Sequence, residues 1–268
     1  MRVNIPALPP FQLQRALQLI YTLAAAIMTL RLGAGLVAWR AANNLEKPTY
    51  TVMRRLPVSP PTGRIGRSFV EVRKYDPYLI AETTVDESSM RRAGAQGFGR
   101  CAGYIFGKNE PRMTSDGAGG GGGGSEKMAM TSPVRSVGEA GERMAMTSPV
   151  RSSGSSAATA SSAGKTKVSF VIGSKYSLKS APRPIDKSVQ VKNVKEHYLA
   201  ATSFSGPPPS DERIRKERDA ILETLEREGI RAKGREETMV YGYHDPVVTP
   251  NFLRKNEVAV MVDGSSVR

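Results

Sequence analysis

The sequence has few of the side chains from which metal sites are built. Its 268 residues include one cysteine, Cys101, and two histidines, His197 and His244. A single cysteine excludes an internal disulfide framework, which suits a reducing compartment without proving one. One cysteine and two separated histidines cannot make a structural zinc site unless carboxylates join them. We therefore predict no metal-binding residues and a fold without disulfides.

Known catalytic motifs are also missing. No Ser or Cys lies in a nucleophile elbow or a comparable catalytic signature. The glycine run at 119–124 lacks the Lys and the Ser or Thr of a phosphate-binding loop, and it does not connect a strand to a helix. We predict that the protein is not an enzyme.

Acidic residues are scarce. Lys and Arg outnumber Asp and Glu by 39 to 25, so the surface should attract anions such as phosphates, propionates, acidic lipid head groups or nucleic acid. The arginines are scattered and are not interleaved with aromatic residues, as a stacking platform for bases would require. Nucleic-acid binding is therefore not expected.

The first 45 residues contain no acidic side chain at all. Leu13, Leu17, Ile20 and Ile27 recur at helical spacing, which predicts an amphipathic helix of the kind found in organelle-targeting sequences. We interpret residues 1–45 as a targeting or membrane-surface segment. Docking of this helix on the domain itself is the alternative.

A transmembrane helix is the least favoured interpretation of this segment. The apolar run 16–30 is short for a bilayer, and extending it to Trp39 would bury Arg31 near the middle.

Beyond residue 46 the sequence shows short β-favouring runs separated by turn residues. The first three runs predict an antiparallel meander. The predicted strands are 49–56, 68–75, 78–85, 167–176, 189–206, 238–244 and 256–262.

Two helices are predicted within this region. In the first, Phe98, Cys101, Ala102 and Ile105 share one face, and its glycines should bring the backbone close to a strand or a ligand. The second follows Pro207 to Pro209. Ser210 is its predicted N-cap, Ile214, Ile221, Leu222 and Leu225 form its buried stripe, and Gly229 is its C-cap.

The segment MAMTSPVRS occurs twice, at 128–136 and at 144–152. Alternation within each copy predicts a strand, and the intervening GEAG predicts a hairpin of the two copies. Prolines in both copies should place these strands at an edge or end them there. Methionines in such strands are more often core than ligand wall. The insertions 115–125 and 152–165 are of low complexity and are interpreted as flexible loops.

The order strands, helix, strands occurs in each half of the region. We predict an α+β fold, a pseudo-duplicated antiparallel sheet or distorted β-barrel flanked by two α-helices, over residues 46–264. A groove between the concave face of this sheet and a helix would suit an apolar ligand.

Several strings in order carry a family resemblance: EVRKYDPYLIAETTV, GFGRCAGYIFGKN, KMAMTSPV, SFVIGSKY and TPNFLRKNEV, together with the long helix after FSG. With them, residues 47–262 resemble the SOUL haem-binding family, whose fold is SOUL/GyrI-like. The doubled EKMAMTSPV-like segment is most similar to the plastid branch of plants and algae.

The resemblance implies non-catalytic, reversible binding of haem or another porphyrin, as a plastid carrier, buffer or sensor. The alternative function is a structural protein of plastid lipid globules or the algal eyespot that has kept the fold without its ligand. The implied location is the chloroplast, in the stroma, at the thylakoid surface or in plastoglobules, with the cytoplasm as the alternative. A lipid surface is the further partner expected of residues 1–45.

The resemblance also implies the ligand-contacting residues. The predicted cofactor-binding residues are Phe98, Arg100, Ala102, Ile105, Met128, Met130, Met144, Met146, Val248 and Phe252. His197 and His244 are the axial candidates, but a structural role explains each of them more simply. Animal relatives have basic residues that are proposed to bind the propionates. At the corresponding positions this sequence has Ala95, Gly103 and Thr249, so it departs from the family's propionate clamp.

Overall fold

The computed structural model describes residues 10–58, 69–112, 126–139 and 165–267. The helices are α1 (Pro10–Asn43), α2 (Met90–Ile105) and α3 (Asp211–Arg227). The strands are β1 (Tyr50–Pro57), β2 (Phe69–Tyr75), β3 (Tyr78–Asp86), β4 (Asn109–Glu110), β5 (Val134–Glu139), β6 (Lys165–Ile172), β7 (Arg183–Pro184), β8 (Val189–Val194), β9 (His197–Ser205), β10 (Ala232–Gly242) and β11 (Lys255–Val262). Short 3₁₀ turns lie at Asn251–Leu253 and Gly264–Ser266.

One antiparallel sheet dominates the fold. Nine strands pair in the order β1-β2-β9-β11-β10-β5-β6-β3-β8, and β4 pairs with β7 separately. Within the described residues β1 and β8 are the edges, so the sheet is not closed into a barrel. The α+β class with a large antiparallel sheet is confirmed, and of the two predicted variants the open sheet is the one found.

Two short connections show that the sheet is strongly curved. Asp76 and Pro77 join β2 to β3, and Lys195 and Glu196 join β8 to β9, although these strands lie far apart in the sheet order. Two connecting residues leave three Cα–Cα steps, which span only about 10 Å, so the two ends of the sheet must approach each other here.

These connections correct two predictions. β2 and β3 do not form a meander, because β2 pairs with β1 and β9, whereas β3 pairs with β6 and β8. The predicted strand 189–206 is two strands, because its first part bonds to β3 and its second part to β2 and β11.

Helices α2 and α3 cover the same face of the sheet. On β6, Val168 and Phe170 contact α2, so the alternating Ser169 and Val171 face the other way. The buried stripe of α3 packs against residues of β9 and β11 that project from the same side of the sheet as Val168 and Phe170. The backbone N–H of Met90 donates to Asp211 Oδ1 at 3.1 Å, which links the beginnings of the two helices.

Helix α2 approaches the sheet closely at Gly97. A Cβ atom added there would lie 2.6 Å from Val168 Cβ. The predicted close approach is therefore to a strand. Cys101 is fully buried one turn further on, and burial raises the pKa of its thiol to about 12. A thiol in this state is unreactive.

Helix α3 confirms its predicted ends and buried face. The Ser210 hydroxyl accepts a hydrogen bond from the backbone N–H of Arg213 at 3.2 Å, and Gly229 after the helix has a φ of 69°. Ile214, Ile221 and Leu225 are buried against the sheet, and Leu222 is partly buried beside them.

The first copy of MAMTSPVRS forms less strand than predicted. Met128 and Met130 precede β5, which begins at Val134, directly after Pro133. β5 is not an edge strand, because β10 and β6 bond to its two sides. The predicted pairing of the two copies is therefore wrong for 134–137. The second copy, and with it Met144 and Met146, lies outside the described residues.

The N-terminal helix α1 is a single helix of 34 residues, about 50 Å long. Its apolar side chains surround it instead of forming one stripe: Leu19, Ile20 and Tyr21 are successive, about 100° apart, and all more than 60% exposed. Near its end Gly35 is buried against Pro250, which docks the helix on the domain.

Candidate functional site

A cavity of about 200 Å³ lies on the face of the sheet that α2 and α3 leave uncovered. We expected a groove between the sheet and a helix of the domain, but this cavity is on the opposite side. Its wall is completed by the end of α1 and the residues that follow it. The residues that line it are Ala42, Asn43, Lys47, Pro48, Tyr50, Tyr75, Tyr78, Ile80, Pro133, Arg135, Ser169, Val171, Tyr241, Tyr243, His244 and Lys255.

Strand alternation directs the tyrosines into this cavity. Tyr241 is in β10 and Tyr243 follows two residues later, so both project from the same side of the sheet. Tyr75 ends β2 and Tyr78 begins β3, at the tight crossing between the two ends of the sheet. His197, at the start of β9, stacks on Tyr75 with ring centroids 5.3 Å apart and an interplanar angle of 8°.

A buried ion pair lies beneath the tyrosines. Arg73 Nη1 and Nη2 each donate to one carboxylate oxygen of Glu257 at 2.9 Å, and both side chains are at most 2% exposed. The Tyr243 hydroxyl donates to Glu257 at 2.6 Å, and Arg73 also donates to the Tyr75 hydroxyl at 3.3 Å. The ion pair therefore holds the side chains of Tyr243 and Tyr75 in place in the cavity wall.

This network keeps Glu257 ionised. Burial alone would raise the pKa of Glu257, but the hydrogen bonds and charge of Arg73 outweigh burial and lower it to about 2. Lys255 Nζ contacts the same carboxylate at 3.0 Å, and the Ser203 hydroxyl donates to it at 2.7 Å. Two cations thus balance the charge of Glu257, and two hydroxyl groups donate hydrogen bonds to it.

His244 presents a nitrogen without a partner. Its Nδ1 accepts the backbone N–H of Lys255 at 3.1 Å, so in the neutral ring the proton is on Nε2. Burial and the charges of Lys47, Lys255 and Arg254 lower the pKa of His244, which keeps the ring neutral. Among the described residues, none accepts a hydrogen bond from the buried Nε2.

Arg135, in β5, has a similar donor. Its Nε is buried and has no hydrogen-bond partner in the described part of the chain. Its Nη2 lies 3.4 Å from Met239 Sδ, and its guanidinium also bonds to the side chain of Tyr78. Burial alone would lower the pKa of Arg135, but Tyr241, Tyr78, Glu82 and Glu237 outweigh burial and raise it, so the guanidinium stays charged.

The two histidines differ as metal ligands. His197 Nδ1 lies 2.8 Å from the Lys195 carbonyl oxygen and must donate to it, which leaves the Nε2 lone pair available to a metal. His244 Nε2 carries a proton and offers no lone pair. No cluster of three or more His, Cys, Asp or Glu able to hold a metal ion occurs among the described residues.

The sequence model of the SOUL heme-binding protein family matches residues 45–261. The chain belongs to the SOUL family. Among curated proteins none matches the sequence.

Solved structures share the arrangement only distantly. One is an uncharacterised conserved protein from Listeria innocua, with a TM-score of 0.46, 9% identity and coverage of 81% of this chain and 92% of that one. Another is the EcmrR C-terminal domain, with a TM-score of 0.43, 7% identity and coverage of 73% and 98%. A third is SAV2435 bound to tetraphenylphosphonium, with a TM-score of 0.36, 12% identity and coverage of 73% and 94%.

The residues predicted on α2 of this SOUL domain lie away from the cavity. Ala102 and Ile105 are buried against the helix-covered face of the sheet. Phe98 is 37% exposed and meets Phe170 edge-on, with ring centroids 5.2 Å apart. Arg100 is exposed and donates to the Thr84 carbonyl oxygen at 3.3 Å.

The other predicted site residues that the structure describes are also separate from the cavity. Met128 is buried in the core beside Ile105, and Met130 packs partly buried nearby. Val248 and Phe252 are 45% and 68% exposed in the loop before β11. The structure therefore brings Met128 and Met130 together with α2 in the core, whereas Val248 and Phe252 of the last loop lie apart from them. Ligand contact by any of them stays a prediction.

The cavity residues had a signal in the sequence of this SOUL protein. Tyr241 and Tyr243 alternate along one predicted strand, and Glu257 interrupts the apolar run NEVAVMV. A charged residue in a buried strand indicates a partner or a functional site. The partner, Arg73, is 184 residues away, so only the fold connects the two.

Proposed function

We propose that this protein binds a tetrapyrrole reversibly and without catalysis, with one edge of the macrocycle inside the cavity on the uncovered face of the sheet. Membership of the SOUL family supports the ligand class. The observation that carries the location is the cavity itself, which combines tyrosine walls with Arg135, Lys255 and Lys47. An aromatic wall suits a conjugated ring, and cations suit its propionates.

The size of the cavity determines how much of a tetrapyrrole fits. Pockets that enclose a whole drug-sized ligand measure about 300–1,000 Å³, and a cavity of roughly 150 Å³ holds benzene. At about 200 Å³ the cavity fits one pyrrole ring with its side chain. The remainder of the macrocycle would lie at the mouth. Partial enclosure agrees with reversible binding.

Haem iron has one candidate ligand among the two histidines. His197 keeps the Nε2 lone pair and stacks on the cavity residue Tyr75, whereas the His244 tautomer excludes ligation. When bound, haem supplies the iron and its Soret band. We expect porphyrin without iron to bind as well, because the tyrosines and cations contact the ring and its carboxylates.

A titration tests this proposal. Hemin and protoporphyrin are added to the full chain in mild detergent at micromolar concentration, and the Soret band and porphyrin fluorescence are followed. A saturable Soret shift with both ligands is expected. Absence of both signals would rule the proposal out. If His197→Ala alters the hemin spectrum but leaves protoporphyrin binding intact, His197 is the axial ligand.

Helix α1 supports attachment to a lipid surface as a second function. Residues Gln14–Asn43 are long and apolar enough to cross a membrane by length and composition, as targeting sequences near an N-terminus also are. The helix lacks acidic residues, and Arg15, Arg31 and Arg40 suit anionic lipid. We propose that α1 holds the SOUL domain on a plastid membrane or lipid globule, where it acts as a carrier, buffer or sensor.

Flotation with anionic vesicles tests the attachment. The full chain should float, and Leu23→Glu with Ile27→Glu should abolish flotation because both side chains are exposed on α1. Lys216→Glu, exposed on α3, is the matched control for charge. Fractionation of plastids tests the location: a strictly stromal, soluble protein would contradict attachment, as would recovery outside plastids. A protein that floats but binds no porphyrin would favour the scaffold function.

A further inference from the structure

The cavity contains two buried N–H donors that the protein itself does not use. His244 Nε2 and Arg135 Nε both belong to residues of the cavity wall, and neither has a hydrogen-bond partner among the described residues. A buried donor left unpaired costs about 1–3 kcal/mol, and most native donors are paired. Both donors belong to residues of the cavity wall, so a ligand bound in the cavity can accept hydrogen bonds from them.

The charges of the wall define the ligand's sign. Lys47, Arg135 and Lys255 line the cavity, and no Asp or Glu is present among the described lining residues. Glu257, below the tyrosines, is already bonded to Arg73, Lys255 and Tyr243. The cavity therefore attracts anions, and its described lining offers no carboxylate to bind a cation.

The donor types define the ligand's chemistry further. The Nε of Arg135 has no hydrogen-bond partner in the described residues, and guanidinium groups pair with carboxylates through charge-assisted hydrogen bonds. His244 adds a neutral N–H donor, since its tautomer is fixed by the Lys255 backbone. A carboxylate accepts from both donors, whereas an ester has no charge and fewer acceptor sites.

We infer that the cavity takes the propionate-bearing edge of its tetrapyrrole and selects free acids against esters. Arg135 and His244 together form the carboxylate site, in place of the family's basic positions that are Ala95, Gly103 and Thr249 here. This inference rests on the proposed function, because it assumes that a tetrapyrrole occupies the cavity. It adds which edge enters and which chemical form is bound.

Protoporphyrin and its dimethyl ester provide the test, because they differ only in their carboxylates. Both are titrated into the full chain in the same detergent, and dissociation constants are measured by fluorescence. Loss of a charge-assisted pair should weaken binding about 10- to 100-fold for the ester. Arg135→Gln and His244→Phe should weaken free-acid binding about 10- to 100-fold more than ester binding, which removes the discrimination.

Arg92→Gln is the matched control, because Arg92 lies on α2 at the covered face and pairs with Glu87. This variant should discriminate as the wild type does. Unfolding curves confirm that each variant is folded, and Arg135→Lys, which keeps the charge, should retain part of the preference. Equal affinity for acid and ester in the wild type would overturn the inference while the proposed function stands. Binding of neither porphyrin would overturn both.

Discussion

Replacement of Glu257 by Gln should strongly destabilise the protein. In the wild type Glu257 and Arg73 are buried together and joined by two hydrogen bonds of 2.9 Å. The amide cannot balance the charge of Arg73, which stays buried at 2% exposure and keeps only Glu71, 23% exposed, as a carboxylate partner at 2.8 Å. Removal of one partner from a buried ion pair costs about 3–5 kcal/mol.

The pKa of Glu257 gives a second route to this magnitude. It falls from an ordinary value of 4.5 to about 2 in the folded protein. Each tenfold change in proton affinity corresponds to about 1.4 kcal/mol, so the ionised carboxylate contributes about 3 kcal/mol at neutral pH. The two routes agree, and we expect Glu257→Gln to lose about 3 kcal/mol of unfolding free energy at pH 7.

The same shift predicts a pH dependence. Because the folded pKa is the lower one, the stabilisation is complete above pH 4.5, decreases as the pH falls from 4.5 to about 2, and is absent below that. The difference in unfolding free energy between wild type and Glu257→Gln should therefore shrink over this range. Urea unfolding followed by circular dichroism at pH 7, 4 and 3 measures it.

Glu82→Gln is the matched control. Glu82 is also buried in a strand, but its cation, Lys192, is 46% exposed and stays hydrated when the carboxylate is removed. No buried cation is left unpaired, so this variant should lose clearly less stability than Glu257→Gln. The reasoning on Glu257 fails if Glu257→Gln unfolds within about 1 kcal/mol of wild type at pH 7. It also fails if the gap between the two proteins does not change below pH 4.5.

Three further predictions concern the helices. Gly97→Ala should lower stability by about 1–3 kcal/mol, because its Cβ would lie 2.6 Å from Val168 Cβ. Gly99→Ala, whose Cβ would have nothing within 4 Å, should raise stability by up to about 1 kcal/mol. Thermal unfolding compares the two variants, and equal effects would contradict the close approach. Ser210→Ala should cost about 1 kcal/mol in urea unfolding through loss of the bond to Arg213, and an unchanged midpoint would show that the cap is dispensable. Cys101 should react with a thiol reagent only as fast as the protein unfolds, since it is buried with a pKa of about 12, and rapid labelling of the native state would contradict this.

The sequence predicted best those elements that local chemistry determines. Helix α3 has its cap at Ser210, its buried stripe at Ile214 and Ile221, and its end before Gly229, because these signals lie within one segment. Most strands were predicted for the same reason. The sheet order was not, because the connections at Asp76 and at Lys195 carry the chain between the two ends of the sheet.

The location of the cavity depends on contacts over long distances in sequence. Arg73 and Glu257 are 184 residues apart, and His244 acquires its tautomer from the backbone of Lys255. Alternation indicated that Tyr241 and Tyr243 share a face, but it could not tell which face α2 would cover. The close contact of Gly97 with Val168 decides that, and leaves the tyrosine face open.

The central claim, that the tetrapyrrole enters the cavity on the uncovered face of the sheet, is tested most directly by blocking the cavity. Val171 lines it and is 6% exposed, so Val171→Trp should fill part of the space, while Leu178→Trp adds the same ring at a site that is 45% exposed. Hemin and protoporphyrin titrations of both variants, each checked for folding by circular dichroism, should show binding lost in Val171→Trp and retained in Leu178→Trp. Unchanged binding by folded Val171→Trp, with loss on Phe98→Ala, would contradict the account and return the site to α2.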